Sequence, residues 1–359
     1  MKKIILPILL LSIFQSCNSS DDAVTETPPI PNPNMYFPEN GTDVWKEESM
    51  SDLDWNLMAM PGLLDFLIEK DTKSFMILVN GRIVTENYFG SHTASSPWYW
   101  ASAGKTLTSA TVGIAEQEGY LSINDKVSDY LGTGWTSAPL VKENLITIKH
   151  LLTMTSGLDD ALGDDVSATN LQYKADAGTR WAYHNVYVKL QDVVAQATGQ
   201  TWNNYFNTKL RDKIGMTGTW IESGDDLSVY TSNTRSMARF GLLALNNGKW
   251  NDTQVINSSF FTAAVTPSQS INKSYGYLWW LNGKESFHLP QTQVEFNGSI
   301  VPNAPADMYM ALGKNDQKIY VIPSKKMVVI RMGNAADNVN PALSDFDNAL
   351  WQKINAVIE

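Results

Sequence analysis

The segment WYWASAGKTLTSATVGIAEQEG, residues 98–119, contains a serine and a lysine whose spacing could support covalent catalysis. After Ser102, apolar and small residues recur at helical spacing, and Gly119 is placed to end the predicted helix. Ser102 and Lys105 are then about one turn apart on one helix face, so the ammonium can reach the hydroxyl. Free backbone N–H groups near a helix N-terminus would also favour an alkoxide or a nearby oxyanion.

The same segment contains Gly104-Lys105-Thr106, which resembles the end of a phosphate-binding loop. Such a loop needs a glycine five positions before Gly104, and Tyr99 stands there between two tryptophans. A bulky aromatic residue cannot supply the left-handed turn that glycine allows, so a nucleotide site is disfavoured. Ser-x-x-Lys alone often occurs by chance, and a solvated serine and lysine on a surface helix is the alternative that other motifs must exclude.

The composition indicates a globular protein that does not bind nucleic acid. The chain has 359 residues, 43% of them hydrophobic, which is enough for a full core. Its formal net charge is −10 and its pI is about 4.9, which argues against a nucleic-acid surface. There is no Gly-x-Ser-x-Gly elbow, and the histidines show no metal-ligand spacing, so we expect neither a metal nor an organic cofactor. The histidines are His92, His150, His184 and His288.

The N-terminal residues have the pattern of an export signal. Two lysines, the apolar run Ile4 to Phe14 and the sole cysteine, Cys17, follow in order. This pattern resembles a bacterial lipoprotein signal, which implies cleavage after residue 16, a lipid anchor at Cys17 and a place in the cell envelope. The alternative is an ordinary cleaved signal with an incidental cysteine. Residues 17–36 are rich in Asp, Ser, Thr and Pro, which predicts a disordered tether before a domain at 37–359.

The hydrophobic pattern predicts strands at both ends of that domain and helices between them. A helix is expected over Asp54 to Lys70, followed by a hairpin around Asn80-Gly81. Three candidate strands run from Met308 to Gly333, and a helix ends the chain. Residues 105–260 are mostly helical in pattern. The fold class is therefore α/β (α+β), with an antiparallel sheet built from both chain ends, flanked by helices, and an inserted helical region.

Five segments in order give the chain a family resemblance from about residue 55 to the C-terminus. The segments are Ser102-Ala-Gly-Lys105, TIKHLLTMTSGL at 147–158, Tyr183-His184-Asn185, SMARFGLLALNNGKW at 236–250 and YGYLWW at 275–280. Together they resemble the serine β-lactamase-related hydrolases, a superfamily with class C β-lactamases, D-Ala-D-Ala peptidases, family VIII esterases and nylon-oligomer hydrolases. The resemblance implies a β-lactamase-like fold.

The resemblance also implies a mechanism. Ser102 would attack a carbonyl carbon and form an acyl-enzyme that water later cleaves. Lys105, if neutral, or Tyr183, as tyrosinate, would take the serine proton and later protonate the leaving group, and the sequence leaves this choice open. Asn185 would orient Lys105 and donate a hydrogen bond to substrate, since it lies two residues after Tyr183 on the same side of an extended loop. His184 should point away, as a structural or rim residue.

The third motif of the superfamily, Lys-Thr-Gly or His-Thr-Gly on a strand, is altered here. Aligning Gly313 with the motif glycine places Ala311 and Leu312 at the cation and hydroxyl positions. The backbone N–H of Lys314 would then pair with that of Ser102 as the oxyanion hole. Without the cation, penicillins and peptidoglycan stems are less favoured as substrates, unless Lys314 or Arg331 supplies a charge from a neighbouring position.

The sequence thus predicts a serine hydrolase that cleaves a small-molecule ester or amide. A β-lactamase or D-Ala-D-Ala peptidase is the alternative within the enzyme class. A surface lipoprotein that binds without turnover is the alternative from another class.

Overall fold

The computed structural model describes residues 35–223, 227–337 and 345–359. The predicted signal at 1–16 and the predicted lipidation site Cys17 lie outside the described residues, as does nearly all of the predicted tether. Met35 and Tyr36, which the sequence assigned to the tether, pack against the core. The N–H of Tyr36 donates to the carbonyl of Asn80 at 2.9 Å, so these two residues belong to the folded part of the chain.

A six-stranded antiparallel sheet forms the centre of the molecule. Its strands, in spatial order, are β2 Arg82–Tyr88, β1 Thr72–Val79, β13 Met327–Gly333, β12 Gln317–Ile322, β11 Tyr309–Gly313 and β8 Trp280–Leu281. The predicted hairpin joins β1 to β2, and both of its turn residues have positive φ, +49° at Asn80 and +79° at Gly81. Strand β1 pairs with β13, so the sheet is built from both ends of the chain as predicted. The other strands are β3 Trp98–Tyr99, β4 Thr219–Ser223, β5 Leu227–Ser232, β6 Lys249–Trp250, β7 Thr253–Gln254, β9 Ser286–His288 and β10 Glu295–Asn297.

Helices cover the sheet and fill the inserted region. They are α1 Met60–Glu69, α2 Lys105–Gln117, α3 Ser128–Leu131, α4 Leu140–Glu143, α5 Ile148–Leu152, α6 Lys189–Thr198, α7 Trp202–Phe206, α8 Thr234–Leu245, α9 Ser258–Ala264 and α10 Asp345–Ile358. The predicted first helix is shorter than expected, because residues 57–59 form a separate 3-10 turn before α1. The inserted region is not purely helical, since its strands β4 and β5 form a small sheet with β3, which precedes the region, in the order β3-β5-β4.

The two faces of the central sheet are covered by different helices. On one face, Gly241 of α8 lets the helix approach closely, since a Cβ there would lie 2.5 Å from Val328 Cγ1. Ile319 of β12 also packs at this point, while its neighbours Lys318 and Tyr320 face the other way and hydrogen-bond Asp347 of α10. Alternate strand residues thus face opposite helical layers, and every residue of β12 is buried.

Candidate active site

Ser102 lies on a short 3-10 turn, Ala101–Gly104, between strand β3 and helix α2. Ala101 has a φ of +48°, in the left-handed region that costs a non-glycine residue about 1 kcal/mol or more. Such strain persists where the surroundings impose it, and it is common at functional sites. Lys105 is the first residue of α2, and its Nζ donates to Ser102 Oγ at 2.8 Å. A 3-10 turn has three residues per turn, so residues i and i+3 lie directly above one another. The predicted pairing of Ser102 and Lys105 therefore forms across the 3-10 turn that precedes α2.

Lys105 is held in a water-poor position, with its residue 5% exposed. Burial lowers the pKa of its ammonium to about 7, and the charge of Asp164 acts in the opposite direction. The rings of Tyr183 and Tyr187 lie 4.8 Å and 4.2 Å from Nζ. At neutral pH a large fraction of Lys105 is therefore uncharged and able to accept a proton.

Tyr183 lies beside both Ser102 and Lys105. Burial raises the pKa of its hydroxyl to about 12, while side-chain hydrogen bonds with Ser102 and Trp280 act to lower it. Its ring stacks on that of Trp280 at a centroid distance of 5.6 Å. Trp181 and Tyr275 pack around both rings, so the phenol is fixed by aromatic contacts on several sides.

Asn185 lines the same cavity but makes a contact that the sequence did not suggest. Its Nδ2 donates to the backbone carbonyl of Asp164 at 3.0 Å, which ties the loop before Tyr183 to the motif. Asn185 also begins the 3-10 turn Asn185–Val188, rather than continuing an extended loop. His184 is buried and lines the cavity, and burial lowers the pKa of its imidazole.

The end of strand β11 packs directly against the turn that carries Ser102. A Cβ on Gly313 would lie 2.3 Å from the carbonyl oxygen of Trp100 and 3.1 Å from the backbone nitrogen of Ala103. Only glycine fits this approach, which agrees with the place of Gly313 in the third motif. Ala311 and Leu312 are both buried within the strand, at 1% exposure.

The two cations that could replace the missing motif cation have different positions. Lys314 is exposed and lines the cavity. Arg331 is fully buried, and its guanidinium donates to backbone carbonyls, those of Asn315 and Asp316 among them. Arg331 therefore does not present its charge to the cavity, whereas Lys314 is one of the residues that line it.

The site opens into a cavity of about 570 Å³. The sequence predicted Ser102, Lys105, Tyr183, Asn185 and Lys314 as parts of one site, and all five line this cavity. The other lining residues are Tyr99, Ala101, Asp164, His184, Tyr187, Ile221, Val229 and Thr231. Tyr187 could have been suspected from its place four residues after Tyr183, but no local pattern marks Asp164 or the strand residues.

Comparison with known proteins identifies the family. The Beta-lactamase family model matches residues 57–350. The chain belongs to the beta-lactamase family. An uncharacterized protein of Alkalihalophilus pseudofirmus is 26% identical over 308 residues, which cover 75% of this chain and 85% of the relative. Proteins with the beta-lactamase fold include hydrolases of several kinds. As a member of this family, the chain is a hydrolase.

Two solved structures show how widely this family fold is shared. A putative 6-aminohexanoate-dimer hydrolase from Bacillus anthracis has a TM-score of 0.66 at 19% identity and covers 91% of this chain and 90% of its own. EstCE1, a hydrolase with promiscuous acyltransferase activity, has a TM-score of 0.62 at 12% identity and covers 85% of this chain and 99% of its own. At these identities the likeness concerns the beta-lactamase fold.

Within residues 35–223, 227–337 and 345–359, no group of His, Cys, Asp and Glu side chains could hold a metal ion. Within the same ranges, no helix has both the length and the apolar character needed to cross a bilayer.

Proposed function

We propose that this protein is a serine hydrolase that cleaves a small ester or amide through an acyl-enzyme on Ser102. The observation that carries the proposal is the buried Lys105 Nζ, 2.8 Å from Ser102 Oγ at the base of the cavity. A serine hydroxyl is a weak nucleophile unless a neighbouring base takes its proton. A lysine with a pKa near 7 is such a base, because it is partly neutral at physiological pH.

Lys105 is the better candidate for the general base, and Tyr183 for the proton donor. With its pKa raised to about 12, Tyr183 keeps its proton at neutral pH. In the acylation step, Ser102 Oγ bonds to the carbonyl carbon while its proton moves to neutral Lys105. As the bond to the leaving group breaks, the proton reaches the departing oxygen or nitrogen, with Tyr183 as the hydrogen-bonding relay. Water then attacks the acyl-enzyme by the reverse path and releases the acid.

The backbone N–H groups of Ser102 and Lys314 are the proposed oxyanion donors. The close approach of Gly313 to the Ser102 turn supports this pairing, since it brings the β11 end against the nucleophile. Backbone donors fixed in this way stabilise the negative charge that develops on the carbonyl oxygen.

The cavity wall supports an uncharged or weakly polar substrate. Ala311 and Leu312 offer no charge-assisted contact at the third motif. Ile221 and Val229, with the rings of Tyr99 and Tyr187, add apolar surface to the cavity. Short acyl esters and simple amides are therefore the expected substrate class.

The second candidate is a β-lactamase or D-Ala-D-Ala peptidase, and the position of Lys314 favours it. The ammonium of Lys314 could pair with the carboxylate of a β-lactam or a peptide stem, although from a position three residues beyond the altered motif cation. Turnover of nitrocefin faster than that of p-nitrophenyl acetate or butyrate would support this candidate over an esterase.

The first test is intact-mass spectrometry of residues 35–359 after exposure to a fluorophosphonate. We expect one adduct in the wild type, none in Ser102→Ala, and one in Ser109→Ala, which alters a buried serine further along α2. A folded wild type that takes no adduct would instead indicate a binding protein without turnover. Adduct formation would lead to kinetic profiling with p-nitrophenyl esters, anilides and nitrocefin.

We also propose that the protein is an envelope lipoprotein anchored through Cys17. The support is the order of basic, apolar and cysteine residues at the N-terminus. Expression of the full chain in a bacterial host with labelled palmitate should label the wild type and not Cys17→Ala. Equal labelling of both proteins would refute the anchor.

A further inference from the structure

The turn that follows Gly313 lies at the cavity and is fixed by side-chain contacts. Strands β11 and β12 are joined by Lys314, Asn315 and Asp316, called here the 314–316 turn, and Gly313 pairs with Gln317 across the ladder. Asn315 and Asp316 both have left-handed backbones, with φ of +61° and +59°. Asn and Asp adopt this conformation more readily than other residues with a side chain, so the local sequence suits the turn. Further contacts from Gln317, Arg331 and Asn315 hold it in place.

Gln317 supplies one set of those contacts from within the sheet. It is fully buried, and its Nε2 lies 3.3 Å from the carbonyl oxygen of Lys314 and 2.8 Å from that of Asn315. The same amide group donates to the carbonyl of Gly333 at 2.7 Å and accepts from its N–H at 3.1 Å. Gln317 thus connects the 314–316 turn to the end of β13.

Arg331 supplies a second set from the neighbouring strand. Its Nη1 donates to the carbonyls of Asn315 at 3.1 Å and Asp316 at 2.9 Å. Its Nη2 and Nε donate to the carbonyl of Lys70 at 2.6 Å and the hydroxyl of Thr72 at 3.1 Å. Because the planar guanidinium of Arg331 is hydrogen-bonded through Nε, Nη1 and Nη2, it holds the turn in one position.

Asn315 anchors the outer side of the turn. Its Nδ2 donates to the hydroxyl of Tyr99 at 2.7 Å, and Tyr99 lines the cavity close to Ser102 in the chain. All three carbonyls of the turn therefore accept hydrogen bonds from buried side chains, while the Asn315 side chain is tied to the cavity wall. The peptide between Gly313 and Lys314 is bounded by this fixed turn and by the close packing on Trp100.

We propose that Gln317 and Arg331, with Asn315, are positioning residues that hold the Lys314 peptide N–H in place for the oxyanion. This inference rests on the proposed function, because it assigns these side chains to the same acyl-transfer site. An oxyanion donor is effective only if it is fixed before the charge develops, so loosening the turn weakens transition-state stabilisation. The three residues act through the backbone and do not touch the reacting atoms.

The test compares an oxo ester with its thiono analogue, in which sulfur replaces the carbonyl oxygen. Sulfur is larger and accepts hydrogen bonds poorly, so it benefits little from an oxyanion hole. We expect Gln317→Met and Arg331→Lys to lower kcat/KM for the oxo ester by about 10- to 100-fold. The loss should fall on kcat rather than KM, and the ratio of oxo to thiono rates should shrink by a similar factor.

The matched control is Tyr309→Phe on β11. Its hydroxyl donates to the carbonyl of Ala244 at 2.8 Å, so the change removes one buried hydrogen bond without touching the 314–316 turn. We expect this variant to lose stability and to keep the wild-type ratio of rates. A general loosening of the fold would affect the control and the test variants alike.

The outcomes separate this inference from the proposed function. A folded wild type without ester turnover or Ser102 labelling would overturn the proposed function itself. Another outcome is an active wild type with folded Gln317→Met and Arg331→Lys variants that keep its ratio of oxo to thiono ester rates. That outcome would overturn the positioning role alone. If neither buried variant folds, Asn315→Gly decides, since glycine accepts a φ of +61° without strain. An unchanged ratio in Asn315→Gly would then refute the proposal, and a reduced ratio would support it.

Discussion

The ammonium of Lys105 is hydrogen-bonded to Ser102 Oγ at 2.8 Å, and its residue is only 5% exposed. A charged amine in such a place loses much more hydration free energy than a neutral amine does. The same burial that costs stability therefore favours the neutral amine that the proposed mechanism requires beside Ser102.

Replacing Lys105 should separate activity from stability. Lys105→Met removes the proposed base and should lower kcat for an ester by about 1,000-fold or more. The same change removes a buried amine, so the variant should melt at a higher temperature than the wild type. Ester kinetics and thermal unfolding of the same preparations check both expectations. A variant that is inactive and also less stable would show that Lys105 supports the fold.

The difference in stability between the wild type and Lys105→Met should depend on pH. The folded pKa of Lys105, about 7, is lower than its ordinary value of 10.5, so the unfolded chain binds the proton first as pH falls. Stability contributed at Lys105 is therefore lost as pH falls from about 10.5 to about 7, and no further below that. The melting temperature of Lys105→Met should therefore exceed that of the wild type by a margin that increases as the pH falls through this range. An advantage that is constant from pH 7 to 10 would contradict the lowered pKa.

The pH dependence of catalysis should report the same group. Below pH 7, kcat/KM should fall as Lys105 becomes protonated. Asp164 raises the pKa of Lys105, so Asp164→Asn should move this acidic limb to lower pH. Asp192→Asn, on the exposed side of α6, is the charge-matched control and should leave the limb in place. A limb that does not move in Asp164→Asn would argue for another titrating group.

Gly313 should not tolerate a methyl group. In Gly313→Ala the new Cβ would lie 2.3 Å from the Trp100 carbonyl, so the β11 end must move away from Ser102. We expect at least about a tenfold loss of kcat, together with lower stability. Gly62→Ala is the control, because a Cβ there meets nothing within 4 Å on helix α1. That change should raise stability by about 0.5 to 1 kcal/mol in urea titrations, with unaltered kcat.

The buried ion cluster of Lys318, Asp316 and Asp347 should contribute much more to the unfolding free energy than an exposed ion pair does. Lys318 Nζ lies 2.8 Å from Asp347 Oδ2 and 3.1 Å from Asp316 Oδ1, and all three side chains are almost fully buried. Lys318→Met would leave two carboxylates without this cation and should cost about 3 to 5 kcal/mol of unfolding free energy. Glu285→Gln, in an exposed ion pair with Lys273, should change the unfolding curve little. Similar small changes in both variants would contradict this difference.

Two features could be predicted from short spacings alone, the Ser102–Lys105 pair of the site and the hairpin turn at Asn80-Gly81. Ser102 and Lys105 are three residues apart, and Asn80-Gly81 sets its own turn, so local chemistry is sufficient in both cases. The hydrogen bonds from Gln317 and Arg331 to the 314–316 turn were not predicted, because they depend on strand register across β11, β12 and β13. Asp164 was missed for the same reason, since only the folded loop brings it near Lys105.

The pairing of β1 with β13 also sets an order on how the protein can fold. Phe75 lies opposite Arg331, with most of the chain between them. Contacts of such separation form slowly, because a long loop must close before they yield any stabilisation. Gly313 and Arg331 are both synthesised long after Ser102. A nascent chain therefore carries Ser102, the proposed nucleophile, without the strands that would complete the site, so the proposed hydrolysis must wait until synthesis of β13 is finished.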